Sequence, residues 1–176
     1  YKKNLKPNII IYISKKKFNI PNKNFKGLKA ITYPDIRWGR VDIKTTSLLA
    51  NVMAATYAKI NGAYESIFFK DNKITEGTHS NVWIIKNKKI KTHPANKEIL
   101  GGVTRSILIN IIKSSGFSLY EKEFSVKEML TADEVFITSS GCLITPIIQI
   151  DKTKINKGQI GSITKYLALN FYKTII

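Results

Sequence analysis

Cys142 is the only cysteine in the chain, so no internal disulfide can form, and a reducing compartment such as the cytoplasm is the natural setting. The residue reads as a small apolar side chain at a strand end rather than as a reactive thiol. His79 and His93 are the only histidines. No grouping of His, Cys and carboxylate has metal-ligand spacing, so no metal site is expected, and His93, just ahead of Pro94, reads as a structural turn residue. No apolar run is long enough to span a bilayer, and no basic-then-apolar leader is present, so neither a membrane partner nor export is expected.

Acidic residues are scarce. Twelve Asp and Glu face 29 Lys and Arg, a formal charge of +17. Such an excess raises the question of a nucleic-acid partner. Composition argues against one. Arg37, Arg40 and Arg105 are the only arginines, and arginine is the residue suited to bidentate base and phosphate contacts. The lysines are spread along the whole chain, in a sequence that is also rich in Ile and Asn. The densest run, Lys15-Lys16-Lys17, reads as a solvated edge that discourages strand pairing.

With 176 residues and 43% hydrophobic content, the chain can bury one core as a single domain. Strands are expected at Asn8 to Ser14 and Gly27 to Tyr33. From Thr45 to Asn61 the residues Leu48, Leu49, Val52, Met53, Thr56, Tyr57 and Ile60 recur at helical spacing, closed by Gly62; Met53 and Tyr57 read as core. Asp71-Asn72 and Asn87-Lys88 mark two hairpin turns, between strands 65–70 and 73–76 and between strands 80–86 and 89–92. Helices are expected at 103–114, at 125–130 with Ser125 and Glu128 as a capping box, and at 160–176, with strands at 118–124, 134–138 and 143–145. Hairpins mixed with helices, without strict alternation, indicate an α+β fold.

Three segments carry chemistry. Val41-Asp42-Ile43-Lys44 runs into the first long helix and offers an amine. Thr75-Glu76-Gly77 ends a hairpin strand and offers a carboxylate. Leu100-Gly101-Gly102-Val103-Thr104 opens a helix whose free N–H groups suit a phosphate. An amine for an aldehyde, an acid for a ring nitrogen and a phosphate cup together match the needs of pyridoxal phosphate.

The order and spacing of these segments resemble the fold-type IV pyridoxal-phosphate enzymes, a group that includes D-amino-acid transaminases, branched-chain transaminases and aminodeoxychorismate lyases. The stretch from Glu76 to Arg105 follows the family signature, with Asn81-Val82, Ile90-Lys91-Thr92 and Leu100-Gly101-Gly102-Val103-Thr104-Arg105 in place; Trp83 stands where Phe or Tyr is usual. Asp35-Ile36-Arg37-Trp38, Asp42-Ile43-Lys44, Gly62-Ala63-Tyr64-Glu65, Thr92-His93-Pro94-Ala95-Asn96 and Phe136-Ile137-Thr138-Ser139-Ser140 look closest to the D-amino-acid group. The likeness covers nearly all of the chain, from about Ile9 onward.

The resemblance implies a mixed sheet or barrel with packed helices. It further implies transamination of a D-amino acid such as D-alanine with a 2-oxo acid such as 2-oxoglutarate. Lys44 would be the catalytic amine that holds the cofactor, and Glu76 the partner of its ring nitrogen. Leu100 would pack on the ring, and Val103, Thr104, Ser139 and Ser140 would hold the phosphate. Arg37 could support the site or pair with Asp35 or Asp42. His79, where a serine is usual, could reach substrate or phosphate or remain a surface residue. Branched-chain transaminases carry a tyrosine five residues after the lysine, where this chain has Leu49. A branched-chain transaminase, a lyase and a cofactor-binding fragment inactive alone are the alternatives. Because the chain begins at Tyr1 and its first segment reads as a core strand, residues 1–176 are expected to be the larger, cofactor-binding domain, without the family's smaller N-terminal domain. Relatives pair as homodimers, which is the expected partner relation of the full-length protein.

Overall fold

The computed structural model describes residues 4–175. Its framework is set by two hairpins. β2 (Glu65–Lys70) and β3 (Lys73–Gly77) turn at Asp71-Asn72, and β4 (Asn81–Lys86) and β5 (Lys89–Thr92) turn at Asn87-Lys88. All four turn residues have positive φ, between 48° and 61°, the two-residue geometry whose twist matches that of the flanking strands. Asn and Asp tolerate this backbone best, and the sequence supplies them at three of the four positions.

β1 (Leu28–Pro34), β6 (Leu119–Glu121), β7 (Glu134–Ser139), β8 (Leu143–Ile150) and β9 (Thr153–Lys154) complete a nine-stranded mixed sheet, ordered β3-β2-β1-β8-β7-β4-β5-β6 with β9 on β8. The sheet curls until its ends meet. Ile74 N on β3 donates to Phe124 O, just beyond β6, at 2.9 Å, and Val126 N donates to Asn72 O at 3.1 Å. β8 is longer than the sequence suggested, because Pro146 fits inside it: opposite Phe136 it pairs with β7, and β1 reaches only as far as Ile147 on the other side.

Alternation along β4 and β7 divides the core. Val82, Ile84, Val135 and Ile137 face the inside of the curl with Ile67, Ile74, Phe124 and Met129. Trp83, Ile85 and Phe136 face outward beneath α2 (Val103–Ser114) and α4 (Ser162–Ile175), which contribute Leu108, Ile112, Leu167, Ala168 and Phe171. Strands covered on both faces read as nearly continuous apolar runs, as Val82-Trp83-Ile84-Ile85 does. α3 (Val126–Leu130) has the capping box expected from Ser125 and Glu128. Among the described residues no helix is long and apolar enough to cross a membrane.

Two expectations need correction. Asn8 to Ser14 forms no strand; the segment has no regular secondary structure, and Ile9, Ile10, Ile11 and Ile13 are exposed. β-propensity alone cannot make a strand where no neighbouring edge accepts its hydrogen bonds. The first helix, α1 (Leu49–Ile60), is shorter than expected, and its apolar stripe does not face the core. Leu49, Val52, Met53, Tyr57 and Ile60 are exposed, whereas Ala54 and Ala58 are buried, with Ser66 Oγ donating to Ala54 O at 2.7 Å. Small residues let the helix lie close on β1 and β2, and the large apolar face is left outward.

The start of α4 is held by a carboxylate from the sheet. Glu134 accepts from Ile163 N (3.1 Å), Thr164 N (2.7 Å) and Thr164 Oγ1 (2.6 Å). Gly161 lies directly against it, so that a Cβ there would occupy the space of the Glu134 side chain. Gly161→Ala should therefore displace the cap and lower unfolding stability by about 1–3 kcal/mol, the cost of buried donors left unpaired. Urea unfolding should show this loss in the native background and little further loss in Glu134→Ala. Equal losses in both backgrounds would mean that the glycine and the carboxylate act independently.

Candidate active site

Glu76 lies one residue before the end of β3 with its carboxylate almost wholly removed from water, 6% exposed. Three donors from distant parts of the chain converge on it. Arg37 Nη1 donates to Oε1 at 2.5 Å, and Asn81 Nδ2 (3.1 Å) and Leu100 N (3.0 Å) donate to Oε2. Burial pushes Glu76 up to about 7 from its ordinary 4.5, against the downward pull of the Arg37 charge and hydrogen bond and of the Leu100 N–H.

Arg37 is itself fixed on every side. Its Nε and Nη2 grip Asp35 at 2.9 and 2.7 Å, Nη2 reaches Glu98 O at 3.3 Å, and the guanidinium lies 4.5 Å from the centre of the Phe68 ring. Burial alone would raise Asp35, but the Arg37 hydrogen bonds and charge, with the Thr75 hydroxyl, hold it below the usual carboxylate range. Arg37 thus pairs with Asp35 and also supports Glu76, whereas Asp42 pairs with Arg40 at the surface.

Asn81 ties the carboxylate to the glycine-led start of α2. Its Nδ2 also donates to Leu100 O at 2.8 Å, and a Cβ on Gly102 would sit 2.5 Å from its Oδ1. Only glycine allows the α2 start to lie this close. Gly102 occupies the N-cap of α2 with no side-chain cap, so the N–H groups of Val103 and Thr104 have no side-chain acceptor. Thr104 is buried, Leu100 half-buried and Val103 exposed. Asn81 also stands opposite Thr138 in the β4–β7 register, which brings the end of β7 to the same corner. There Ser139 Oγ donates to Cys142 Sγ at 3.1 Å and accepts from Cys142 N at 3.2 Å, while Ser140 is exposed. Burial pushes the Cys142 thiol up, away from reactivity.

A second buried carboxylate shapes the β3–β4 turn. Glu65 is 1% exposed and accepts from Thr78 Oγ1 (3.1 Å), His79 N (2.8 Å) and Ser80 Oγ (2.9 Å). The half-exposed His79 ring stands 3.2 Å from the same carboxylate through Nδ1, and Asn51 Nδ2 of α1 anchors Thr78 O at 2.8 Å. Sequence reasoning missed Glu65 and Asn81 as organising residues. A signal did exist: each is a polar residue opening a strand ahead of an apolar run, Ile67-Phe68-Phe69 in β2 and Val82-Trp83-Ile84-Ile85 in β4.

Lys44 is not among the hydrogen-bond partners of Glu76. It is exposed, on an irregular segment rather than a strand, between Val41, whose N–H donates to Lys97 O at 3.1 Å, and the start of α1. Glu76 and Leu100 are thus tied to Asn81, Gly102 lies against it ahead of Val103 and Thr104, and Thr138, opposite it, leads to Ser139; Lys44 and Ser140 are on exposed loops.

A family model for amino-transferases of class IV matches residues 1–150. The D-alanine aminotransferase of Staphylococcus aureus (strain N315) is 38% identical over 172 residues, covering 97% of this chain and 60% of that protein. Among solved structures, the branched-chain aminotransferase of the archaeon Thermoproteus uzoniensis with norvaline has a TM-score of 0.78 at 31% identity, over 90% of this chain and 54% of its own. The branched-chain amino acid aminotransferase of Thermobaculum terrenum in its PLP (holo) form has a TM-score of 0.78 at 25% identity, over 85% of this chain and 51% of its own. The chain therefore spans about 60% or less of the length of these proteins.

The raised Glu76 carboxyl has a consequence for stability. Between pH 4.5 and about 7 the folded chain holds a proton there that the unfolded chain has released. Stability should fall as pH rises through that window, by up to about 3 kcal/mol, and level off above it. Urea unfolding at pH 5 and pH 8 should show a drop that largely disappears in Glu76→Gln. The same drop in both proteins would place the titration on another group.

Proposed function

The chain belongs to the class IV aminotransferases, and on that premise we propose that it is the cofactor-binding domain of a D-amino-acid transaminase, passing the amino group of a substrate such as D-alanine to a 2-oxo acid such as 2-oxoglutarate. Class IV aminotransferases depend on pyridoxal phosphate. The donor set around Glu76 fits that group. A carboxylate offers about four lone-pair positions, and Arg37, Asn81 and Leu100 N take up three, leaving one on Oε1 for a ring N–H. The uncapped start of α2 suits a phosphate, with open space around Gly101. This pairing of an acceptor with one vacancy and a free helix start is the observation that carries the proposal.

When bound, the cofactor supplies an electron-accepting ring conjugated to the amine carbon of the substrate. In this reading Glu76 Oε1 keeps the proton on the ring nitrogen, and its affinity for protons near neutrality suits it to share one. Arg37, Asn81 and the Leu100 N–H hold the carboxylate in place as positioning groups. Leu100 would cover the ring, and the Val103 and Thr104 N–H groups and the Ser140 hydroxyl would bind phosphate oxygens, joined by the Ser139 hydroxyl once it turns from Cys142 Sγ. Lys44 Nζ would hold the cofactor through its aldehyde, and as a free amine it would move a proton at the substrate Cα. The D-alanine aminotransferase relatives support the D-amino-acid assignment. The branched-chain fold neighbours support a second reading, an L-amino-acid transaminase. A second copy of the chain is the proposed partner for the exposed apolar face of α1, and the cytoplasm is the proposed location.

Borohydride reduction of the cofactor-loaded chain, followed by peptide mapping, should place the pyridoxyl label on Lys44. A label spread over the exposed lysines, or centred on Lys29 or Lys59, would remove Lys44 from the mechanism. Prior incubation with D-alanine should protect Lys44 from labelling more than L-leucine does. Stronger protection by L-leucine would favour the branched-chain reading.

A further inference from the structure

We propose that His93, Glu98 and Glu123 form a site for one divalent transition-metal ion of the zinc class. No spacing in the sequence suggests it; the fold assembles it. β5 and β6 run in parallel with Thr92 opposite Glu121, and Lys122 N donates to Thr92 O at 2.9 Å, so the chain leaving β6 carries Glu123 alongside His93. Beyond Pro94 the chain turns on Asn96, whose Oδ1 accepts from Glu98 N at 2.9 Å and whose carbonyl accepts from Ile99 N at 3.3 Å. That turn folds Glu98 back over the imidazole.

The His93 ring is oriented as a ligand would be. Its Nδ1 lies 2.9 Å from Pro94 O, and because a carbonyl only accepts, Nδ1 carries the hydrogen. Nε2 is then left with its lone pair. The ring is 1% exposed, and Nε2 has no hydrogen-bond partner among the described residues. A buried acceptor without a partner is costly, and such atoms are rare in folded proteins. Nε2 faces two carboxylates: Glu98 Oε2 is 3.7 Å away, too far for a hydrogen bond, and one ligand atom from each of the three side chains lies within 4.8 Å of the others. Bonds of about 2.0–2.2 Å around a tetrahedral ion separate the donors by roughly 3.3–3.6 Å, so small rotamer shifts bring all three into range. The hydrogen bond from Nδ1 to a backbone carbonyl is the outer contact that metal-binding histidines commonly make.

The donor set selects the ion. One imidazole nitrogen with two carboxylates suits zinc, cobalt or nickel, whereas calcium and magnesium favour oxygen alone. Two carboxylates balance a 2+ charge, and three protein ligands leave a position for water. The nearest competitor is the half-exposed Lys70, whose Nζ is 3.6 Å from the other Glu98 oxygen. A bound ion would fasten the segment 93–99, which leads into Leu100 and the α2 start, to the chain between β6 and α3.

The test is calorimetric titration of the metal-free chain with Zn2+, with Co2+ absorption as an optical check on coordination. Saturable binding of one ion per chain is expected, with a rise in Tm. Glu123→Gln, at an exposed position, should keep the fold by circular dichroism and weaken binding at least about tenfold. Lys70→Gln should strengthen it by removing the competing cation. Absence of saturable binding would overturn the proposal. So would binding that Glu123→Gln and Glu98→Gln leave unchanged, since the ion would then be held elsewhere on the surface.

Discussion

A carboxylate taken out of water must be answered by donors, and at Glu76 those donors come from separate stretches of the chain: Arg37 after β1, Asn81 at the start of β4 and the Leu100 N–H before α2. The cost of burying a charge without partners runs to several kcal/mol, so each donor must be held in place for the fold to keep this group inside. Arg37 is held by Asp35 and by the face of Phe68, Asn81 by the β4–β7 register, and Leu100 by the close approach of Gly102 to Asn81. One ionisable side chain thus fixes three walls of the site.

The same device recurs. This basic chain has few acids, and it buries several of them. Glu65 organises the β3–β4 turn through Thr78, His79 and Ser80, and Glu134 caps α4. Each accepts three hydrogen bonds, with backbone N–H groups among them, and each joins parts of the chain distant in sequence. The lysines meanwhile remain largely at the surface, where the excess charge affects solubility more than fold.

Features governed by local chemistry were legible in the sequence. Asp71-Asn72 and Asn87-Lys88 specified their turns, Ser125 and Glu128 specified a cap, and Gly101-Gly102 marked the start of α2. The order of the amine, carboxylate and glycine segments was enough to suggest the family. What could not be read depends on partners remote in sequence. The stripe from Leu48 to Ile60 has helical spacing, but which face lies on the sheet is decided by the fit of Ala54 and Ala58. Asn8 to Ser14 has the composition of a strand and no edge to join. Arg37 could be paired with several acids on paper, and only the fold shows that it holds Asp35 and Glu76 together. The grouping of His93 with Glu123 arises from a parallel strand register that no local pattern encodes.

The central claim is that Glu76, held from behind by Arg37, Asn81 and the Leu100 N–H, keeps a proton on the ring nitrogen of pyridoxal phosphate. Nitrogen-15 resonance of the ring-labelled cofactor bound to the chain reads that proton directly. The account expects a protonated-nitrogen shift in the native chain above neutral pH, and its loss in Glu76→Gln with the cofactor still bound. An identical shift in the two proteins would contradict it.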